Sequence, residues 1–129
     1  MEGIAQIAPE GGIVEQCNSA YARILCLTPK EAVGRSFFEF VEGEDEREAR
    51  HQRELRISGT GSKYEVSITA ADGKRKVLSC GGYPLLGADG SYEGAVQTVF
   101  DVTELRERER ALRASEEMSG GLSRQRGSE

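Results

Sequence analysis

The segment GSYEGAVQTVFDVTE, Gly90 to Glu104, constrains the fold more than any other part of the chain. It opens on a turn and becomes an extended run that ends at Phe100. It then passes through Asp101-Val102-Thr103 into a charged helical stretch. A strand that feeds directly into a helix lets a displacement of the strand leave through that helix. Two earlier turn signals, Gly11-Gly12 and Asp72-Gly73, join Asp89-Gly90 in separating extended candidates. Glycine supplies the positive φ that such turns need. Short connections of this kind set consecutive strands side by side and antiparallel.

Helical signals fill the stretch between the first hairpin and the later strands. Asn18 is an N-cap for a helix over Ser19 to Leu25. Thr28 and Glu31 form a capping box with Pro29 at the first helical position, and Gly34 ends that short helix. Glu44 to Ile57 reads as a longer helix, with Glu46, Arg50 and Glu54 spaced for side-chain pairing, and Ser58-Gly59-Thr60-Gly61 stops it. Tyr64, Val66, Ile68 and Ala70 alternate with polar residues, as in a half-buried strand. Val77 to Leu86 is a second strand, interrupted by Gly81-Gly82, and Tyr92 to Phe100 a third. With the first hairpin (Gly3 to Ala8, then Ile13 to Glu15) the sum is an α+β fold. It is an antiparallel five-stranded sheet with short helices on one face and a C-terminal exit helix.

The domain is expected over 1–103, the exit helix over 104–118 and a disordered polar tail over 119–129. Val102, Leu105 and Leu112 mark a narrow apolar seam on the exit segment, with the two leucines one heptad apart. So short a seam predicts a weak homodimer.

Several of these marks together resemble the PAS domain, the small sensory module of signalling proteins. They are the Asp101-x-Thr103 exit, the Asp72-Gly73 hairpin, Asn18-Ser19-Ala20 followed by Ile24-Leu25, and Glu31-Ala32-Val33-Gly34-Arg35-Ser36. No single motif is specific; their order and spacing are. Cys26 departs from the pattern, because many members carry Gly after the Ile-Leu pair. The resemblance implies a non-enzymatic sensory or interaction domain of a multidomain, bacterial signal-transduction protein of the two-component kind. It implies an output domain, such as a histidine kinase, cyclase or transcription regulator, beyond the exit helix. It further implies Asp101 and Thr103 as the signalling junction, with Thr103 accepting an N–H from the first turn of the helix.

Composition removes other classes. A formal net charge of -5 argues against a nucleic-acid surface. No apolar run approaches the roughly 20 residues that a membrane span needs, and the N-terminus lacks the pattern of a signal peptide. Cys17, Cys26 and Cys80 are odd in number and widely spaced, which suggests a reducing, cytoplasmic setting and no metal motif. A single His and no Walker-type loop leave catalysis without machinery.

Three ligand readings follow. Aligned on the family's Asp-Gly and Asp-x-Thr marks, strand alternation turns Leu78, Cys80, Gly82, Ala95, Gln97 and Val99 toward the helices as a ligand pocket. Gln97 stands out there, because a buried amide needs a partner: a ligand, a water or a group within the protein. Some PAS domains bind haem through a His in the helix that here holds His51, but the neighbours Arg47, Glu48, Arg50 and Gln52 favour a solvent-facing or partly packed side chain. A flavin adduct is disfavoured, since no Cys lies between Gly34 and Ile57. The ligand itself is left unidentified, with a ligand-free dimerisation and relay module as the alternative.

Overall fold

The computed structural model describes residues 2–127, and the side chains of residues 2–117. Five strands form one antiparallel sheet: β1 (Gly3–Ile7), β2 (Val14–Cys17), β3 (Ser62–Thr69), β4 (Arg75–Leu86) and β5 (Tyr92–Asp101). Their spatial order is β2-β1-β5-β4-β3, so the first and last strands pair at the centre. Helices α1 (Ser19–Ile24), α2 (Pro29–Ala32) and α3 (Gly43–Ile57) lie between β2 and β3 in sequence, and α4 (Thr103–Gly127) follows β5.

Local chemistry explains where the helices begin and end. Asn18 Oδ1 accepts from the Tyr21 N–H at 2.9 Å and from the Ile4 N–H at 3.0 Å, so one cap both starts α1 and ties it to β1. α1 ends in a Schellman motif. The Cys26 N–H donates to Arg23 O and the Leu27 N–H to Ala22 O, each at 2.9 Å, with Cys26 left-handed at φ 62°. The Thr28–Glu31 box starts α2 as expected. A second box, Ser36 with Glu39, starts a 3-10 turn over Phe37–Phe40 that the strand and helix patterns do not reveal. That turn sends Phe37 and Phe40 into the core.

One face of the sheet carries Ala5, Ile7, Val66, Ile68, Leu78, Cys80, Ala95 and Val99 against Tyr21, Leu25, Phe37, Phe40 and Ala49. Each large side chain buried there contributes about 1.5–3 kcal/mol. Both sheet edges are covered. Asp45 of α3 accepts the Ser67 N–H of β3 at 3.0 Å, and the Arg35 carbonyl and Gly34 N–H bond the backbone of Val14 in β2.

Two expectations change. Gly81-Gly82 does not interrupt β4, which pairs without a break here with β3 and β5. Ladders on both sides hold the backbone, and the missing side chains leave room for neighbours: a Cβ on Gly81 would lie 2.7 Å from Thr98 Oγ1. α4 runs as helix to Gly127, past residue 118 and through the Gly120-Gly121 pair that composition assigns to a disordered tail. Each glycine costs a helix about 1 kcal/mol, and the flanking Glu, Met, Leu and Arg residues favour helix. Residues 128 and 129 of the expected tail lie outside the described residues.

Candidate functional site

The six pocket candidates share the helix-facing side of the sheet, but they do not form one cavity. Leu78, Cys80 and Val99 are closed into the core at 0%, 1% and 1% exposure. Burial pushes the Cys80 thiol up to about 12, opposed by the Arg56 charge. Ala95 and Gln97 alone among the six line a cavity between the sheet and α3. Gln97 finds its partner within the protein. Its Oε1 accepts from the fully buried Tyr21 hydroxyl at 2.9 Å, and burial, reinforced by Cys80, raises the Tyr21 phenol and keeps it a neutral donor.

α3 supplies the polar wall of this cavity. Its inward residues are Ala49, Gln52 and Arg56, and half-buried Arg53 sits at the rim. Arg56 is only 7% exposed. Its guanidinium lies over the Tyr64 ring, 5.7 Å from the centroid, and against the bare Cα of Gly82, where any Cβ would collide with it. Arg56 Nε and Nη2 are buried with no hydrogen-bond partner, as is Arg53 Nε, while Arg53 Nη2 donates to Pro9 O at 3.0 Å. Among the described residues no carboxylate pairs with either guanidinium. The space left for a water-sized molecule is about 20 Å³, enough for about one water. Sequence reasoning missed both arginines, because α3 is polar around its whole circumference. The one available signal was the spacing of Ala49, Gln52 and Arg56.

His51 is exposed on α3. The rotation of the helix that buries Ala49, Gln52 and Arg56 turns His51 outward, in the solvent-facing placement that its polar neighbours favour. Among the described residues no group of three His, Cys, Asp or Glu side chains is placed to hold a metal ion. No helix there is long and apolar enough to cross a membrane.

The exit junction is built differently from a simple cap. Thr103 Oγ1 accepts no N–H from α4; it accepts the Val77 N–H of β4 at 2.9 Å. Its hydroxyl donates to Asp101 Oδ1 at 2.6 Å, and the same oxygen accepts the Thr103 N–H at 3.0 Å. Asp101 therefore performs the capping expected of Thr103. The Val102 N–H donates to Val77 O at 2.9 Å, so both backbone groups of Val77 are held by the junction. One turn on, Arg106 Nε and Nη2 each donate to a Glu65 carboxylate oxygen of β3 at 2.8 Å. The fork raises the Arg106 guanidinium and lowers the Glu65 carboxyl. Along the expected seam Val102 is half-buried, and Leu105 and Leu112 are 49% and 60% exposed. Ile4 and Phe100 are also exposed, on the sheet face opposite the core.

A central antiparallel sheet, helices on one face and a strand running into an exit helix define a PAS-type sensory fold. A family model described as the PAS fold matches residues 2–107, and the chain belongs to that family. It is similar in structure to a sensory box histidine kinase/response regulator from Burkholderia thailandensis, at 19% identity and a TM-score of 0.72 over 91% of this chain and 88% of that one. It is also similar to the N-terminal domain of a diguanylate cyclase with a PAS/PAC sensor from Marinobacter aquaeolei, at 11% identity and a TM-score of 0.72 over 82% and 99%. A third is the PAS domain, in complex with ethanol, of a LuxR-family transcriptional regulator from Burkholderia thailandensis, at 21% identity and a TM-score of 0.62 over 78% and 88%. No curated protein matches the chain in sequence.

Proposed function

We propose that this PAS domain is a cytoplasmic sensor and relay of a multidomain signalling protein, and that its signal leaves through Asp101-Val102-Thr103 into α4. The observation that carries the reading is the double hold on Val77, whose N–H is bonded to Thr103 Oγ1 and whose carbonyl is bonded to the Val102 N–H. A shift of β4 then moves the first turn of α4 directly, and the Arg106–Glu65 fork adds a second point of purchase on β3. Such a paired contact is a discrete element that can hold or release. The histidine kinase, cyclase and LuxR-type regulator among its structural neighbours support an output domain of one of these kinds beyond α4. The exposed Leu105 and Leu112 support a weak homodimer through the exit helices. Three free cysteines, none disulfide-bonded, fit a reducing compartment. Membership of the PAS fold family supports reading the domain as sensory.

A ligand-free dimerisation and relay module would use the same junction. The Tyr21–Gln97 bond favours that reading as far as Gln97 is concerned, since it satisfies the amide that pointed to a ligand. The relay itself is tested with a chimera in which residues 1–117 replace the sensor of a characterised PAS histidine kinase, with the heptad phase of the exit helix kept. Thr103→Ala should change autophosphorylation while the far-ultraviolet circular dichroism spectrum stays unchanged. An unaltered kinase rate in a folded chimera contradicts the relay.

A further inference from the structure

The cavity beside α3 holds a feature that neither the fold nor the junction requires: a buried cation without an anion. Arg56 is 7% exposed, and two of its three guanidinium nitrogens have no partner. An unpaired buried charge is among the most costly arrangements a core can keep. Its contact with the Tyr64 ring offsets only part of that cost. Gly82 lets the guanidinium approach the strand backbone where any side chain would exclude it, and among the described residues the Tyr64 side chain is its one hydrogen-bond partner. Arg53, three residues earlier on the same helix, brings a second buried Nε that lacks a partner.

We propose that this cavity is a binding site for a small monocarboxylate, of acetate to propionate size, with Arg56 as the principal anchor and Arg53 as the second donor at the mouth. The proposal deepens the sensory reading above and rests on it. Guanidinium forks match a planar carboxylate bidentately. Ile7, Phe37, Phe38, Ala49 and Ala95 give the cavity an apolar wall that suits a short alkyl tail, while the Gln97 oxygen on the same lining is already held by Tyr21. A phosphate would need several more donors and would waste that apolar wall. The unpartnered Gln52 Oε1 is an acceptor and does not line the cavity, so it plays no part. The space of about 20 Å³ is too small for the ligand as it stands. Arg53 is half-buried and tethered at Nη2 by one hydrogen bond, to Pro9 O. Its outward swing opens the cavity at the cost of that bond, and the carboxylate replaces it.

The test follows the arginine Nε–H resonances of the 15N-labelled chain during titration with propionate, and compares propionamide as the uncharged isostere and inorganic phosphate. We expect saturable shifts of the Arg53 and Arg56 Nε–H signals with propionate, and affinity at least about tenfold above that for propionamide, as befits a charge-assisted pair. Arg56→Met keeps the volume and removes the charge. Without anion it should melt no lower than the parent chain, and it should lose the rise in Tm that propionate gives the parent. Arg53→Gln should weaken propionate while leaving the Arg56 shift in place. Equal binding of propionate and propionamide overturns the proposal, as does tighter binding of phosphate or the absence of a saturable shift in the parent chain. If Arg56→Met does not fold, the parent titration and Arg53→Gln still decide. Propionate binding with no change in α4 amide exchange would leave the site standing and count against the relay alone.

Discussion

Arg106 grips Glu65 through two parallel hydrogen bonds of 2.8 Å, tying the second turn of the exit helix to the edge strand of the sheet. The pair is partly exposed, so salt screens it. Its hydrogen bond to Arg106 holds the Glu65 carboxyl below the ordinary glutamate value, which is about 4.3. A lowered folded value means that the contribution is complete above the ordinary value. It is lost as pH falls through the folded one. Protection of the α4 amides near Arg106 should therefore weaken in 1 M salt and below about pH 4, and Glu65→Gln should remove both dependences. Exchange that is indifferent to salt and to Glu65→Gln would show that the fork does not hold the helix.

Tyr21 and Gln97 join α1 to β5 through a buried side-chain hydrogen bond. Tyr21→Phe leaves the Gln97 oxygen without its donor and should cost about 1–3 kcal/mol, read as a lower denaturation midpoint. Adding Gln97→Met should recover part of that loss, because no unsatisfied amide remains. A double variant as unstable as the sum of the two single variants would mean that the residues act independently.

Cys26 occupies the left-handed position that ends α1, at φ 62°. A side chain there costs about 1–2 kcal/mol, against about 0.5–1 kcal/mol that glycine loses in unfolded-chain entropy. Cys26→Gly should thus stabilise the domain by roughly 0.5–1 kcal/mol. A lower midpoint would indicate that the contact of Lys76 Nζ with Cys26 Sγ, at 3.6 Å, outweighs the backbone strain.

The cysteines should separate by reactivity. Cys26 is exposed, while Cys80 is buried with its thiol pushed up to about 12. Iodoacetamide at pH 8 should label Cys26 in the folded chain and reach Cys80 only on unfolding. Comparable early labelling of Cys80 would mean that the core around the cavity opens far more often than its packing implies.

Much of this architecture is legible because local chemistry and tertiary structure agree. Asn18 caps α1 and Thr28 with Glu31 caps α2, as their side chains alone imply, and the alternation from Tyr64 to Ala70 turns Val66 and Ile68 inward. What could not be read depends on residues distant in sequence. Gly82 looks like a break in a strand until Arg56 is seen lying on it. Arg56 looks like one charge among many on a polar helix until the 3-10 turn at Phe37–Phe40 and the sheet enclose its side of α3. Thr103 reads as a helix cap because a hydroxyl at a helix start usually serves the helix. Here the free N–H of Val77 lies closer to hand, and Asp101 takes the capping role.

The relay claim rests on the Thr103–Val77 bond, and amide exchange in the Thr103→Val variant tests it most directly. The substitution keeps the shape of the side chain and removes the oxygen that accepts the Val77 N–H. With a net loss of about 1 kcal/mol, exchange should quicken roughly fivefold at Val77 and across residues 104–112. Residues 92–100 of β5 should keep their protection. Equal acceleration of strand and helix would make Thr103 a general staple of the fold, and no acceleration at all would contradict the coupling of β4 to the exit helix.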